Sequence, residues 1–248
     1  MKNVMESSRF KINVLLILMT LFCFSLSAFR YYISDTKVFL FLNWNLFLAW
    51  IPLLLSSFIL AFSIKSKTSL IFIIIVWILF FPNSPYILTD LFHLRVRNEI
   101  PIWYDLIVIL SYAWTGLISG FISLNDIEKR LSDYMSRTII SGVVVLFLFM
   151  SSFGVYLGRF LRWNSWDVLN NPFGLFSDIV VRFIYPMEYT KTWGVTLLMG
   201  IMLNLMYFTF NGQEQMMKKN YNRKIKHSTD WNNFSISMSA ASYMLIHS

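Results

Sequence analysis

The stretch "FFPNSPYILTDLFHL", residues 80–94, carries most of the reactive side chains in a chain otherwise dominated by apolar residues. Asp90 and His93 are three residues apart, so on a helix they share one face. A carboxylate that orients an imidazole suits an acid–base pair, and the same two residues suit a metal site. We predict that Tyr86, Asp90, His93 and Arg97 form one polar stripe on this helix. The stripe either faces the interior or a water-filled cavity, or it simply meets water at a membrane interface.

A metal bound by Asp90 and His93 would need further ligands, and Asp105 and Asp167 are the nearest candidates along the chain. One histidine with three carboxylates is a poor zinc set and a better set for Mg²⁺, Mn²⁺ or Ca²⁺. A hydrogen-bonded Asp90–His93 pair without metal is the favoured alternative. The sequence names no cofactor, and Asp90, His93, Asp105 and Asp167 are also the candidate catalytic residues.

Arg159 and Arg162 form a second group, because guanidinium groups three residues apart suit a phosphate or a carboxylate. In the alternative they reach toward lipid headgroups, or one of them forms a salt bridge with Asp90, Asp105 or Asp167. The other candidate substrate-binding residues are polar side chains near the same helix ends: Asn45, Asn83, Tyr86 and Asn164.

The elements that position these residues are apolar blocks long enough to cross a bilayer. The chain has 248 residues, of which 56% are hydrophobic and 14% charged, whereas soluble domains contain roughly 25% charged residues. At about 20 residues per crossing, six spans are predicted, near residues 10–29, 39–62, 68–81, 102–124, 138–161 and 193–210. Pro82 and Pro85 end the third span, and Asn83 or Ser84 is expected to cap a new helix that starts at Pro85.

These spans predict an all-α integral membrane protein: a six-span helical bundle with a broken third helix and an interfacial segment before the last span. Residues 1–211 form the polytopic membrane domain, and residues 212–248 form a basic, polar cytoplasmic tail. Cys23 is the single cysteine, and its place inside the first span predicts a small buried residue.

The formal net charge of +8 is spread over short clusters between spans, which favours membrane lipids as partners and argues against nucleic acid. Of the 21 lysines and arginines, 13 fall on the side of the chain ends, which places both termini in the cytoplasm. Gly116 and Gly120, like Gly154 and Gly158, have the spacing that allows close helix packing. Packing within the chain is the favoured interpretation, and a homo- or hetero-oligomer through these faces is the alternative.

Four segments carry a resemblance: "WNLFLAWIPL", "FFPNSPYILTDLFHL", "IPIWYDL" and "YLGRFLRWNSWDV". Together they resemble an uncharacterised family of bacterial multi-pass membrane proteins, domain of unknown function 1361, roughly from Asn43 to Phe210. The resemblance implies a location in the bacterial inner membrane and implies no reaction.

All four polar segments lie at one end of the predicted bundle, opposite the chain ends. The leading hypothesis is an extracytoplasmic site that binds or modifies an amphiphilic cell-envelope substrate, a lipid or a lipid-linked molecule. A transporter that uses the broken third helix is the second hypothesis, and a structural partner in a membrane complex is the third. Whether the protein is an enzyme is left open.

Overall fold

The fold is taken from a computed structural model, which describes residues 2–62, 64, 66–97 and 99–213. The side chains of residues 2–8 are outside this description, as is the predicted tail from residue 214 onward. The chain divides into one unit, Met1–Asn204, and a second unit that begins at Leu205. Every side chain discussed below belongs to the first unit.

Nine α-helices and one 3₁₀ helix account for the described part of the chain. In chain order the α-helices are α1 (Lys2–Ser34), α2 (Phe41–Phe62), α3 (Lys67–Phe80), α4 (Asn83–Tyr86), α5 (Ile102–Leu131), α6 (Arg137–Leu161), α7 (Asp167–Asn170), α8 (Pro172–Ile184) and α9 (Thr190–Gln213). The 3₁₀ helix, Ile87–His93, follows α4 directly. Six helical segments are long and apolar enough to cross a membrane, which confirms the predicted fold class.

The broken third helix is confirmed, but the prediction of how its second part is capped was wrong. The short helix α4 begins at Asn83, two residues before Pro85, and Pro82 precedes it without a side-chain cap. Asn83 donates backwards to the Phe80 carbonyl at 2.8 Å, and the Ser84 hydroxyl donates to the Ala49 carbonyl of α2 at 3.1 Å. Both side chains therefore satisfy carbonyl groups of other helices rather than N–H groups at the start of their own.

The polar stripe from Tyr86 to Arg97 was also predicted wrongly, because the helix tightens and then stops. In this stretch the Thr89 carbonyl accepts a hydrogen bond from Arg159 at 2.6 Å. The backbone winds as a 3₁₀ helix and ends at His93, so Arg97 lies beyond it. Tyr86 and Asp90 both contact Arg159, whereas His93 and Arg97 have other partners, so the four side chains form no common stripe.

The glycines of both spaced pairs, on α5 and α6, pack against the broken segment around Pro82 and Pro85. A Cβ atom on Gly120 would come within 2.6 Å of the Ser84 Cβ, and one on Gly154 would come within 2.9 Å of the Pro82 Cγ. The α5 glycines thus accommodate one side of the segment and the α6 glycines the other. This is the packing within the chain that small residues at this spacing allow; oligomerisation through these faces stays a prediction.

Two ion pairs join α1 and α5 at opposite ends. Arg30 contacts Asp105 at 2.7 Å with both side chains fully buried, and Arg9 contacts Asp126 at 2.6 Å. The arginines are 21 residues apart on α1, as are the aspartates on α5, so each pair of positions is separated by about 31 Å along a helix. That distance equals the hydrocarbon thickness of a bilayer, roughly 30 Å, so both ion pairs fit its boundaries, where charges cost least.

The segment between α6 and α9 consists of the short helix α7 and the amphipathic helix α8. Leu175 and Ile179 of α8 are partly buried, whereas Phe173 and Phe176 are 87% and 66% exposed. With 13 residues, α8 is too short to cross a membrane. An exposed aromatic face on a short helix is typical of a helix that lies in the membrane interface, as predicted for this segment.

Candidate functional site

A buried ion pair between Asp90 and Arg159 organises the end of the bundle at which the polar segments were predicted to meet. Asp90 is fully buried, and its carboxylate accepts from Arg159 at 3.0 Å and from the Asn45 amide at 2.9 Å. The Arg159 guanidinium also donates to the Thr89 carbonyl. The bridge therefore connects α2, α6 and the 3₁₀ helix, and its opposite charges compensate each other in an environment that would penalise either alone.

Two aromatic rings enclose the guanidinium of this bridge. The Arg159 Cζ atom lies 5.8 Å from the Tyr86 ring centroid and 5.5 Å from that of Phe92, within the range of a cation–π interaction. The side chain of Arg159 is only 10% exposed. Arg159 is thus held by protein groups on several sides and offers little of its charge to a ligand.

The salt bridge between Arg159 and Asp90 was one of the predicted alternatives, whereas the residues predicted to join Asp90 in an acid–base pair or a metal site lie elsewhere. The exposed His93 packs its ring edge-on against Phe41 at 5.2 Å between centroids, and Asp90 is bonded to Asn45 and Arg159 instead. Asp105 belongs to the separate cluster with Arg30 and is contacted by Arg97 at 3.1 Å. Among the residues that the structure describes, no three His, Cys, Asp or Glu side chains are grouped so that they could hold a metal ion.

A cavity of about 420 Å³ adjoins the bridge. Its walls come from α2, α3, α4, α6, α7, α8 and the turn after α6. Of the residues predicted to bind a substrate, four line it: Asn45, Asn83, Tyr86 and Asn164. Arg159 does not line the cavity. It contacts the lining residue Tyr86 directly, and it is connected to the lining residue Asn45 through Asp90. The cavity thus collects the amides and the phenol of the sequence prediction but not its aspartates or its histidine.

The turn after α6 separates Arg159 from Arg162. Arg162 ends α6 in the left-handed conformation, with φ of 63°, and its side chain is exposed. Asp167 accepts hydrogen bonds from the backbone and side-chain amides of Asn164 at 2.7 and 3.2 Å, which closes the turn. Asp167 is therefore a turn-stabilising residue in this structure, and the expected paired arginine site is not formed because the chain reverses between its members.

Sequence reasoning missed several residues of the cavity because they are apolar or because they belong to α8 or hold it in place. Trp163 donates from its indole N–H to Asp178 of α8 at 2.8 Å, which holds α8 against the end of α6. Leu175 and Ile179 of α8 line the cavity. The signal available in the sequence was the amphipathic pattern of α8, whose inner face had to pack against something.

The fold and this site together define a multi-pass, all-α membrane protein with a partly open, mostly apolar cavity at one end of its bundle. The comparison with protein families gives one match, over residues 44–206, to the family described as protein of unknown function (DUF1361). That match covers most of the chain, so the protein belongs to this family. No curated protein and no solved structure matches the chain.

Proposed function

We propose that the protein binds an amphiphilic molecule, a lipid or a lipid-linked compound, in the cavity beside the Asp90–Arg159 bridge. The observation that carries this proposal is the cavity itself: a volume of about 420 Å³ within a bundle of membrane spans. Ligand sites are typically concave, mostly apolar, and supplied with a few polar groups that fix orientation. This cavity has that composition.

The polarity of the cavity wall changes along the direction of the spans. On α6 the lining residues run from Met150 to Gly158, a distance of about 12 Å along a helix. Ile78 and Phe153 line the part nearer the bilayer centre, and Asn164 and Ser165 line the end at the turn after α6. The apolar part suits the acyl chain of an amphiphile and the polar end suits its headgroup, as the cavity of an amphiphile-binding protein requires.

The buried bridge favours binding over acid–base chemistry. Asp90 is fully buried and already accepts hydrogen bonds from Arg159 and Asn45. A general base must reach the proton that it abstracts, and Asp90 would first have to leave both partners. We therefore assign Asp90 and Arg159 the role of holding Asn45 and Tyr86 in the cavity wall.

The positive-inside rule supports an extracytoplasmic position for the cavity. The clusters on the opposite side include Arg9, Lys67, Lys129, Arg130 and Arg137, next to the ends of the spans. Both termini are then cytoplasmic. The inner membrane of a bacterial cell is the location that the family resemblance implies, and an occupant would come from the cell envelope.

Close packing of the broken segment supports a static wall rather than a moving gate. Added Cβ atoms on Gly116, Gly120 and Gly154 would all meet this segment at less than 3.0 Å. A transporter that used the break would have to separate these surfaces in every cycle. The described contacts contain no feature that specifically favours transport or an assembly role.

Photocrosslinking of the purified protein with a diacyl phospholipid that bears a diazirine near the end of one acyl chain tests the proposal. We expect labelled peptides from cavity-lining residues, and we expect Ile179→Trp to reduce this labelling about tenfold because the larger ring fills the cavity. Phe176→Trp is the matched control, since Phe176 lies on the exposed face of the same helix.

Val168→Trp repeats the test at the cavity rim. Because Val168 is 39% exposed, a larger side chain at this position does not overpack the interior. Labelling confined to the lipid-facing surface, or unchanged by both Ile179→Trp and Val168→Trp, would disprove the proposal.

A further inference from the structure

The headgroup end of the cavity is polar but uncharged, and this identifies the class of occupant if the proposed function is right. None of the described residues that line the cavity is Asp, Glu, Lys, Arg or His. Two arginines near the wall are compensated behind it: Arg159 pairs with Asp90, and Arg182 of α8 pairs with Asp178 at 3.0 Å. Asp167, a third nearby charge, is an anion and accepts hydrogen bonds from Asn164. Arg162, the natural candidate for an anionic group, is exposed and is not part of the lining.

Three lining side chains direct an N–H group away from the cavity, into a carboxylate. These bonds are Asn45 to Asp90 at 2.9 Å, Asn164 to Asp167 at 3.2 Å, and Trp163 to Asp178 at 2.8 Å. Because a carboxylate only accepts hydrogen bonds, it fixes which end of each amide faces it. The amide nitrogens of Asn45 and Asn164 are turned to the carboxylates, and their Oδ1 atoms accept no hydrogen bond from a described protein group.

The third amide of the wall has the same orientation. The Asn83 Nδ2 atom donates to the Phe80 carbonyl at 2.8 Å and to the Ser165 hydroxyl at 3.1 Å. Ser165 in turn donates to the Leu79 carbonyl at 3.0 Å. Both amide hydrogens of Asn83 and the hydroxyl hydrogen of Ser165 are therefore committed to the protein, which leaves the Asn83 Oδ1 atom as an acceptor.

We infer that the occupant of the cavity has an uncharged, hydroxyl-rich headgroup, as in a glycosyl lipid, rather than an exposed phosphate. A hydroxyl group both donates and accepts, so it matches the three amide oxygens as well as the remaining donors of this wall, which are the second amide hydrogens of Asn45 and Asn164 and the Tyr86 hydroxyl. An ionised phosphate only accepts, so it would leave the three amide oxygens without a donor. Binding an anion without a cation in the lining would be costly in such an environment. Trp44 and Tyr86 add aromatic rings to the lining, a side-chain type that suits the C–H groups of a sugar ring.

Competition against the diazirine phospholipid tests this inference with the purified full-length chain. Monoglucosyldiacylglycerol and phosphatidic acid with identical acyl chains are the competitors, so that only the headgroup differs. We expect the glucosyl lipid to displace the probe from the cavity peptides at a concentration at least about tenfold lower. Asn164→Ala is expected to weaken the glucosyl lipid about fivefold, the effect of one hydrogen bond, and to leave phosphatidic acid unchanged. Asn170→Ala, an exposed asparagine of α7 outside the cavity lining, is the control.

Equal or better competition by phosphatidic acid would overturn the inference while leaving the proposed amphiphile site in place. The same conclusion would follow if Asn164→Ala weakened both competitors equally. If the wild-type protein shows no labelling of cavity residues, the proposed function fails and the inference fails with it. These results can be told apart because the labelled peptides are identified before any competitor is added.

Discussion

Breaking the Asp90–Arg159 bridge from the arginine side should destabilise the protein strongly. In Arg159→Met the Asp90 carboxylate stays fully buried with Asn45 as its remaining side-chain partner. Removing one partner of a buried ion pair costs about 3–5 kcal/mol, because the other charge is left uncompensated. At about 2–4 °C per kcal/mol for a chain of this size, the Tm should fall by roughly 6–20 °C.

Replacing both members of the bridge should cost less than replacing the arginine alone. In Asp90→Leu/Arg159→Met no charge is left buried, and apolar replacement of a whole buried pair is often close to neutral. The double variant should therefore recover most of the lost stability, with a coupling free energy of about 2 kcal/mol or more. Arg162→Met is the control: Arg162 is exposed, so its replacement should change stability by no more than about 0.5 kcal/mol.

The chain carries its own reporter for this measurement. Cys23 is the single cysteine, and its side chain is fully buried, so a thiol-reactive fluorogenic dye should react only as the bundle opens. Thermal ramps of wild type, both single variants and the double variant then give the full cycle in detergent. Additive effects of the two replacements, or a loss of less than about 1 kcal/mol in Arg159→Met, would refute the assignment of the bridge.

Two further predictions concern the packing of the broken segment and the orientation of the protein. Gly120→Ala should lower the Tm, because its Cβ would lie 2.6 Å from the Ser84 Cβ; Gly142→Ala, where nothing lies within 4 Å, should be neutral or stabilising by up to about 1 kcal/mol. The same thiol assay measures both, and an equal response would contradict the packing. Reporter enzymes fused after Asp133 and after Asn170 should be active in the cytoplasm and outside it, respectively. A cytoplasmic Asn170 fusion would reverse the orientation of the cavity.

The spans could be predicted from the sequence because length and hydropathy are local properties. α2 ends at Phe62 as predicted, and α6 is one residue longer at its N-terminal end than the predicted 138–161. The helix of the fourth span runs on to Leu131, seven residues past its predicted end. Asp126 in that extension pairs with Arg9, so a tertiary contact stabilises a polar end that hydropathy alone assigns to a loop.

The candidate site could be predicted as a set of segments, but its central contact, the Asp90–Arg159 ion pair, only as one of several alternatives. Asp90 and Arg159 are 69 residues apart, and their pairing depends on how α6 is rotated about its axis, which no local pattern specifies. Arg30 raised no expectation of a functional or structural role, yet it is fully buried against Asp105. The predicted Asp90–His93 pair was wrong because Asp90 pairs instead with Arg159, which belongs to another helix and carries the opposite charge.

The break at Pro82 and Pro85 gives the cavity its shape. A continuous helix through this position would present one face to α5 and another to α6 at a constant distance from both. The interruption instead lets Ser84 bond to α2, while Asn83 and Tyr86 of the same short helix line the cavity. Gly158 gives Tyr86 room, since a Cβ there would lie 3.3 Å from its ring. Three features of the sequence therefore act together on this segment. The break at the prolines turns polar side chains toward the cavity, and the glycines of α5 and α6 let these helices approach the break. Arg159 then fixes the chain that follows the break through its ion pair with Asp90.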